Sequence, residues 1–158
     1  MDLIDPIIVE HGDPMWGLEC EEYVVLDTET TGVNPAQDDI IEVAAVRVRC
    51  GEMVDSYQAL IRTDTPVGDS ESVHGLSDAL LNAEGRDAAT VFREFADFIG
   101  TSPVAGHNVR FDLRMLTSHS ARAGEPLGFG SSFDSLRYAR RLLRCDSYRL
   151  GDLAEHLD

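Results

Sequence analysis

Residues 23–32 read YVVLDTETTG. Val24, Val25 and Leu26 are strand-forming residues, and two carboxylates, Asp27 and Glu29, follow them directly. Side chains alternate along a strand, so Val25, Asp27 and Glu29 share one face if the strand continues. Two carboxylates on one face repel each other unless a cation or a proton separates them. Either the strand ends at Leu26 and both acids are solvated loop residues, or it continues and something requires the pair.

The flanking sequence places this stretch in a sheet. DIIEVAAVRVR, residues 39–49, is rich in Val and Ile and reads as a second strand. Cys50 and Gly51 connect it to EMVDSYQALI, residues 52–61, and strands joined so tightly are antiparallel. A loop bearing Pro, Gly and Ser follows, then VHGLSDALLNAEG, a turn and a short helix with Ser77 as its cap. AATVFREFADFIG puts Val91, Phe95 and Phe98 on one helix face with Phe92 and Ile99 alongside, and ends at Gly100. PVAG is a short strand, and a helix from about Val109 to Ala123 closes at Gly124. SSFDSLRYARRLLR predicts a brief strand and a helix with Leu136, Ala139 and Leu143 inward; LGDLAEHLD predicts a last helix of about two turns. A strand meander followed by alternating helices and strands gives an α/β fold with a mixed central sheet, an antiparallel three-strand meander followed by parallel strands, flanked by helices.

The chain has 158 residues, enough for one domain with its own core. Residues 23–158 are expected to form that domain. Residues 1–22 are acidic, broken by Pro6 and Pro14, and are expected to form an extension that Trp16 pins down. No apolar run has the length of a membrane span, and the opening MDLIDPIIVE lacks the basic residues of a secretory signal, so a cytoplasmic protein without a membrane partner is expected. Cys20, Cys50 and Cys145 are odd in number and widely spaced, which argues against a disulfide framework, a disulfide-linked partner or a zinc site.

A net charge of -16 argues against direct phosphate binding over the whole surface. All 13 basic residues are arginine, and Arg137, Arg140, Arg141 and Arg144 recur at helical spacing as one stripe. That stripe is either a solvated helix face or a surface for phosphates or an acidic partner. Asp112, in the first turn of its helix, lies three and four residues before Met115 and Leu116, on or beside the inward face. It either complements the helix dipole or joins Asp27 and Glu29 in an oxygen-rich pocket of the kind Mg²⁺ or Mn²⁺ prefers. Metal ions in such a pocket also reconcile an acidic protein with phosphate. His11 and His119 show no metal-ligand spacing, and no G-x-S-x-G elbow is present.

These segments resemble the proofreading-type 3′ to 5′ exonucleases of the DEDD superfamily, in its DnaQ-like, histidine-bearing branch, whose fold is ribonuclease H-like. The resemblance spans about residues 22–158. VVLDTETTG matches the first motif, IIEVAAVRV the second strand, VHGLSDALL the His-Gly segment, and AGHNVRFDLRML the second motif, H-N-x-x-F-D. It implies that Asp27, Glu29 and Asp112 are catalytic ligands of two Mg²⁺ or Mn²⁺ ions. It further implies that Thr28, Thr30, Val73, His74, His107, Asn108 and Phe111 lie around the terminal nucleotide. The implied reaction is hydrolysis of the last phosphodiester bond of a single-stranded DNA or RNA 3′ end, releasing nucleoside 5′-monophosphates. DNA replication or repair beside a polymerase or helicase partner is the implied setting.

The third motif of that branch, H-x-x-x-x-D, supplies a general base and a fourth carboxylate soon after a segment like SYRLGDLAEHL, and the sequence given stops at Asp158 before it. His107 and Asp112 share that spacing, but Asp112 already belongs to the second motif; His156 sits in the lead-in helix as a surface residue. Two other readings remain: a non-catalytic binding module with the same fold, and an RNA-trimming enzyme of the same superfamily.

Overall fold

The computed structural model describes residues 22–157. The expected acidic extension, with Trp16, lies outside them but for Glu22, which opens the first strand, as does Asp158. Five strands form one mixed sheet: β1 (Glu22–Thr30), β2 (Ile40–Arg49), β3 (Glu52–Leu60), β4 (Val104–Gly106) and β5 (Ser132–Asp134). Their spatial order is β3-β2-β1-β4-β5. The hairpin from β2 to β3 turns on Cys50 and Gly51, both at positive φ (51° and 80°), as a two-residue turn matched to strand twist requires. β1 pairs antiparallel with β2 and parallel with β4, and β4 pairs parallel with β5.

Helices α1 (Glu71–His74), α2 (Asp78–Glu84), α3 (Ala88–Ile99), α4 (Val109–Arg122), α5 (Ser135–Leu142) and α6 (Leu150–Leu157) complete the described fold, with a 3₁₀ turn at Gly68–Ser70. Ser77 caps α2 as expected, its Oγ accepting from the Leu80 N–H at 3.2 Å. Val24 and Leu26 of β1, Val43 and Ala45 of β2, and Ala59 of β3 pack against Val91, Phe92, Phe95 and Ile99 of α3 and Val109, Met115 and Leu116 of α4. Burial of these side chains is the main stabilising term.

Three local expectations are corrected. The buried stripe of α3 runs through Val91, Phe92, Phe95 and Ile99. Phe98 is only half-buried, because it turns to the sheet margin beneath the Arg47 guanidinium, 5.1 Å from its ring. Helix α5 ends at Leu142, so Leu143 is its C-cap, not an inward helical residue, and Arg144 falls beyond the helix. The arginines therefore follow a helix and then a loop, not one continuous stripe.

Strand β1 sits where the chain reverses its direction of travel across the sheet. From β1 it goes outward through β2 and β3, then returns to the other side at β4. In open α/β sheets the crevice at such a switch point, beyond the carboxyl ends of the strands, is where ligands bind. Gly106 closes β4 there: a Cβ on it would lie 2.8 Å from the Leu26 carbonyl oxygen and 2.9 Å from Val109 Cγ2. Gly106→Ala is expected to lose about 1–3 kcal/mol of stability, read by urea unfolding; an unchanged midpoint would show that the close approach of β4 to β1 is not required.

Candidate active site

The D-x-E pair lies inside the strand, since β1 runs to Thr30. Val24, Leu26 and Thr28 are buried on the core side, while Val25, Asp27 and Glu29 lie on the opposite face. β4 pairs only with Val24 and Val25. Beyond that point β1 has lost its parallel neighbour, and the edge N–H groups need another acceptor. Val24 N–H donates to the Pro103 carbonyl at 2.9 Å. Thr28 N–H, four residues on and pointing the same way, donates to Asp112 Oδ1 at 3.0 Å, and Thr28 Oγ1 donates to the same oxygen at 2.7 Å. A carboxylate from α4 thus takes the place of the missing strand and is drawn up beside the Asp27–Glu29 pair.

Asp112 is buried, Glu29 half-buried, and Asp27 exposed at the mouth of the crevice but flanked by protein. Burial pushes the Asp112 carboxyl up to about 6, with Asp27's charge adding to the shift and the Thr28 hydroxyl opposing it. Burial likewise raises Asp27, against the Thr28 backbone and His107 and with help from Glu42; it raises Glu29, with Asp27 and Glu42 adding and His74 opposing. Glu42, which sequence reasoning missed, is Glu29's direct partner across β1 and β2, and Gln58 Nε2 donates to its Oε1 at 2.7 Å. The signal was a lone acid in the apolar run IIEVAAV, but its pairing with Glu29 depends on the β1–β2 register, which no local pattern shows.

The surrounding residues divide between the site and its scaffold. His74 is held by Ser70 Oγ at 3.1 Å on Nε2 and accepts from Leu76 N–H at 3.0 Å on Nδ1. Val73, one residue before it, is 83% exposed, a large apolar side chain free to meet a ligand. Phe111 is half-buried against the core, and Thr30 Oγ1 donates to the Gly32 carbonyl at 2.7 Å. His107 has both ring nitrogens engaged, Nδ1 with Ser135 Oγ at 3.0 Å and Nε2 with the Tyr148 carbonyl at 2.8 Å. Asn108 precedes α4 in the left-handed region (φ 64°), and its N–H donates to Asp134 Oδ1 at 3.0 Å. Asp134, also missed, is buried and caps α5 through the N–H groups of Leu136 and Arg137.

Hard carboxylate oxygens near enough for Asp27's charge to raise both Glu29 and Asp112 suit a Mg²⁺- or Mn²⁺-type cation in charge and chemistry. Among the described residues, however, no three His, Cys, Asp or Glu side chains converge into a ready cage. The acids are neighbours whose repulsion a hydrated cation would relieve.

A mixed sheet of this order, flanked by helices, is a ribonuclease H-like fold. Residues 24–158 match the family described as Exonuclease, the RNase T family, and the chain belongs to it, as a DnaQ-like 3′–5′ exonuclease family member. The DNA polymerase III PolC-type protein of Thermotoga maritima is 34% identical over 136 residues, which cover 85% of this chain and 10% of that protein. Its counterpart in Bacillus subtilis is 38% identical over 100 residues, 63% of this chain and 7% of that protein. The chain spans about a tenth of the length of these relatives. Exonuclease I of E. coli, solved in complex with a dT13 oligonucleotide, has the same fold, with a TM-score of 0.74 at 20% identity over 85% of this chain and 35% of that one.

A raised Asp112 pKa means that the folded state holds its proton more tightly than the unfolded chain. Its contribution to stability is present below about pH 4 and is lost as pH rises through about 6. Asp112→Asn keeps an acceptor for Thr28 without the charge. Its stability relative to the parent is expected to rise by roughly 1–3 kcal/mol between pH 4 and pH 7 without divalent cations, read by denaturant unfolding. A pH-independent difference would show that Asp112 is not desolvated.

Proposed function

We propose that this domain is a divalent-metal-dependent 3′–5′ exonuclease that hydrolyses the terminal phosphodiester bond of single-stranded nucleic acid, DNA in preference to RNA, releasing nucleoside 5′-monophosphates. What supports this reading is that Thr28, between Asp27 and Glu29 on β1, bonds Asp112 from α4 at the switch point of the sheet, and that Asp27's charge acts on both Glu29 and Asp112. Asp27, Glu29 and Asp112 would hold Mg²⁺ or Mn²⁺, which when bound supplies charge stabilisation at the scissile phosphate. Thr28 orients Asp112 by two hydrogen bonds. Val73 and Phe111 would offer apolar surface to the terminal base, and His74, Asn108, Thr30 and His107 would contact the same nucleotide. PolC-type DNA polymerase III relatives support a setting in DNA replication beside a polymerase.

A second reading is favoured by one observation, the lack of a ready three-ligand cage among the described residues: a module that binds nucleic acid without cleaving it. Release of nucleotides from a 5′-labelled single-stranded DNA oligomer in Mn²⁺ separates the two. The exonuclease reading expects a ladder shortening from the 3′ end, with Asp27→Ala reducing the rate by about 10² to 10³, the usual cost of removing one electrostatic stabiliser. Equal release by parent and variant would sink it, and binding without release by either would establish the module. Matched DNA and RNA oligomers then compare the two sugars.

A further inference from the structure

Residues 137–149 carry five arginines, Arg137, Arg140, Arg141, Arg144 and Arg149, against a single acid, Asp146, a local +4 in a chain of net -16. All five arginines are exposed. Five of the arginines elsewhere are neutralised by carboxylates: Arg47 and Arg49 by Glu22, Arg86 by Glu94, Arg93 by Glu125, and Arg122 by Asp39. Among the described residues, Arg140, Arg141, Arg144 and Arg149 have no carboxylate partner. An acidic protein with abundant carboxylates has left these four cations together and unneutralised.

Their position is as informative as their charge. Helix α5 starts directly after β5, at the carboxyl edge of the parallel strands where the candidate active site lies. Both ends of the basic segment return to one side chain: Ser135 Oγ and the Tyr148 carbonyl each bond the His107 ring. His107 in turn acts electrostatically on Asp27. The Arg140 guanidinium sits 5.9 Å over the Tyr148 ring, and Tyr148 Oη donates to the Leu143 carbonyl at 3.0 Å, so the loop is tied back on itself. The segment is a basic arm closed on the border of the carboxylate cluster.

We propose that residues 140–149 are the phosphate track of this domain, the surface that holds the backbone of the single strand leading to the terminal nucleotide. The inference rests on the exonuclease-domain reading, which places the strand's end between β1 and β4. A strand approaching the carboxylates meets repulsion from an acidic surface, and this arm gathers four unneutralised arginines, among the described residues, beside the site. Binding to a basic groove of this kind is sequence-tolerant and strongly salt-dependent. An acidic protein segment would bind the same charges, and the test separates that occupant.

The test is equilibrium binding of a fluorescein-labelled oligo-dT to the whole chain in EDTA across a salt series, where cleavage plays no part. For single strands the slope of log affinity against log salt is about -0.7 per phosphate neutralised. Arg140→Glu combined with Arg141→Glu is expected to flatten the slope by about 1 to 1.5 units and to weaken binding at low salt at least tenfold. Arg86→Glu combined with Arg93→Glu makes the same change in net charge far from the arm and controls for it; its slope is expected to match the parent's. Asp27→Ala is expected to lose nucleotide release and keep the slope, so the track is scored independently of cleavage. A parent-like slope in the Arg140/Arg141 variant would overturn the proposal and leave the arm to an acidic protein segment, and a parent chain that binds no oligonucleotide at low salt would overturn it too.

Discussion

The hydrogen bonds from Thr28 to Asp112 answer a mismatch in strand length. β1 is nine residues long and its parallel neighbour β4 only three. The unpaired edge of β1 needs an acceptor, and a buried donor left without one costs about 1–3 kcal/mol. Asp112 supplies it from the first turn of α4, whose position is fixed by the burial of Val109, Met115 and Leu116. Gly106 allows β4 and α4 to come close enough for the carboxylate to reach. One backbone requirement therefore brings a third acid beside Asp27 and Glu29, and the shape of the candidate site follows from it.

The same residue types behave differently elsewhere in the molecule. Asp39 is half-buried too, and burial raises it, but hydrogen bonds from Thr63, Thr65 and Arg122 outweigh burial and hold its carboxyl below the ordinary value. That carboxylate fastens the loop after β1 to the end of α4, where His119 accepts from Ile40 N–H at 2.9 Å. It is a satisfied structural group. Asp27, Glu29 and Asp112 are raised, with Asp27's charge adding to burial at Glu29 and Asp112 and Glu42's charge adding at Asp27. The direction of the shift separates them here: carboxyls left raised in a crevice mark a candidate site, a carboxyl held low by its partners a structural network, and both occur on the same two elements, β1 with its following loop and α4.

Periodicity made most of the fold legible. The meander, the capped α2, the amphipathic α3 and the α4 helix follow from alternation, glycine stops and cap residues that agree with one another. Errors fell where tertiary contacts override local pattern. Phe98 satisfies helical spacing but meets Arg47 at the sheet margin. Leu143 and Arg144 continue the pattern of α5, yet the chain leaves the helix to return the Tyr148 carbonyl to His107. Glu42 entered the neighbourhood of the site through cross-strand register, a relation between residues thirteen apart that composition does not express.

By itself the sequence determined that two carboxylates two residues apart follow a strand-forming run, that a predicted helix carries an acid in its first turn, and that arginines cluster in one segment of an acidic chain. Those facts depend on spacing and residue chemistry, which are local. Only the tertiary structure decided that Asp112 bonds Thr28, that Glu42 faces Glu29, and that His107 ties both ends of the basic arm to the edge of the site. The reason is physical: strand register, the unequal lengths of β1 and β4, and the burial of donors and acids are properties of packed neighbours, and residues distant in sequence become neighbours only when the sheet closes around its switch point.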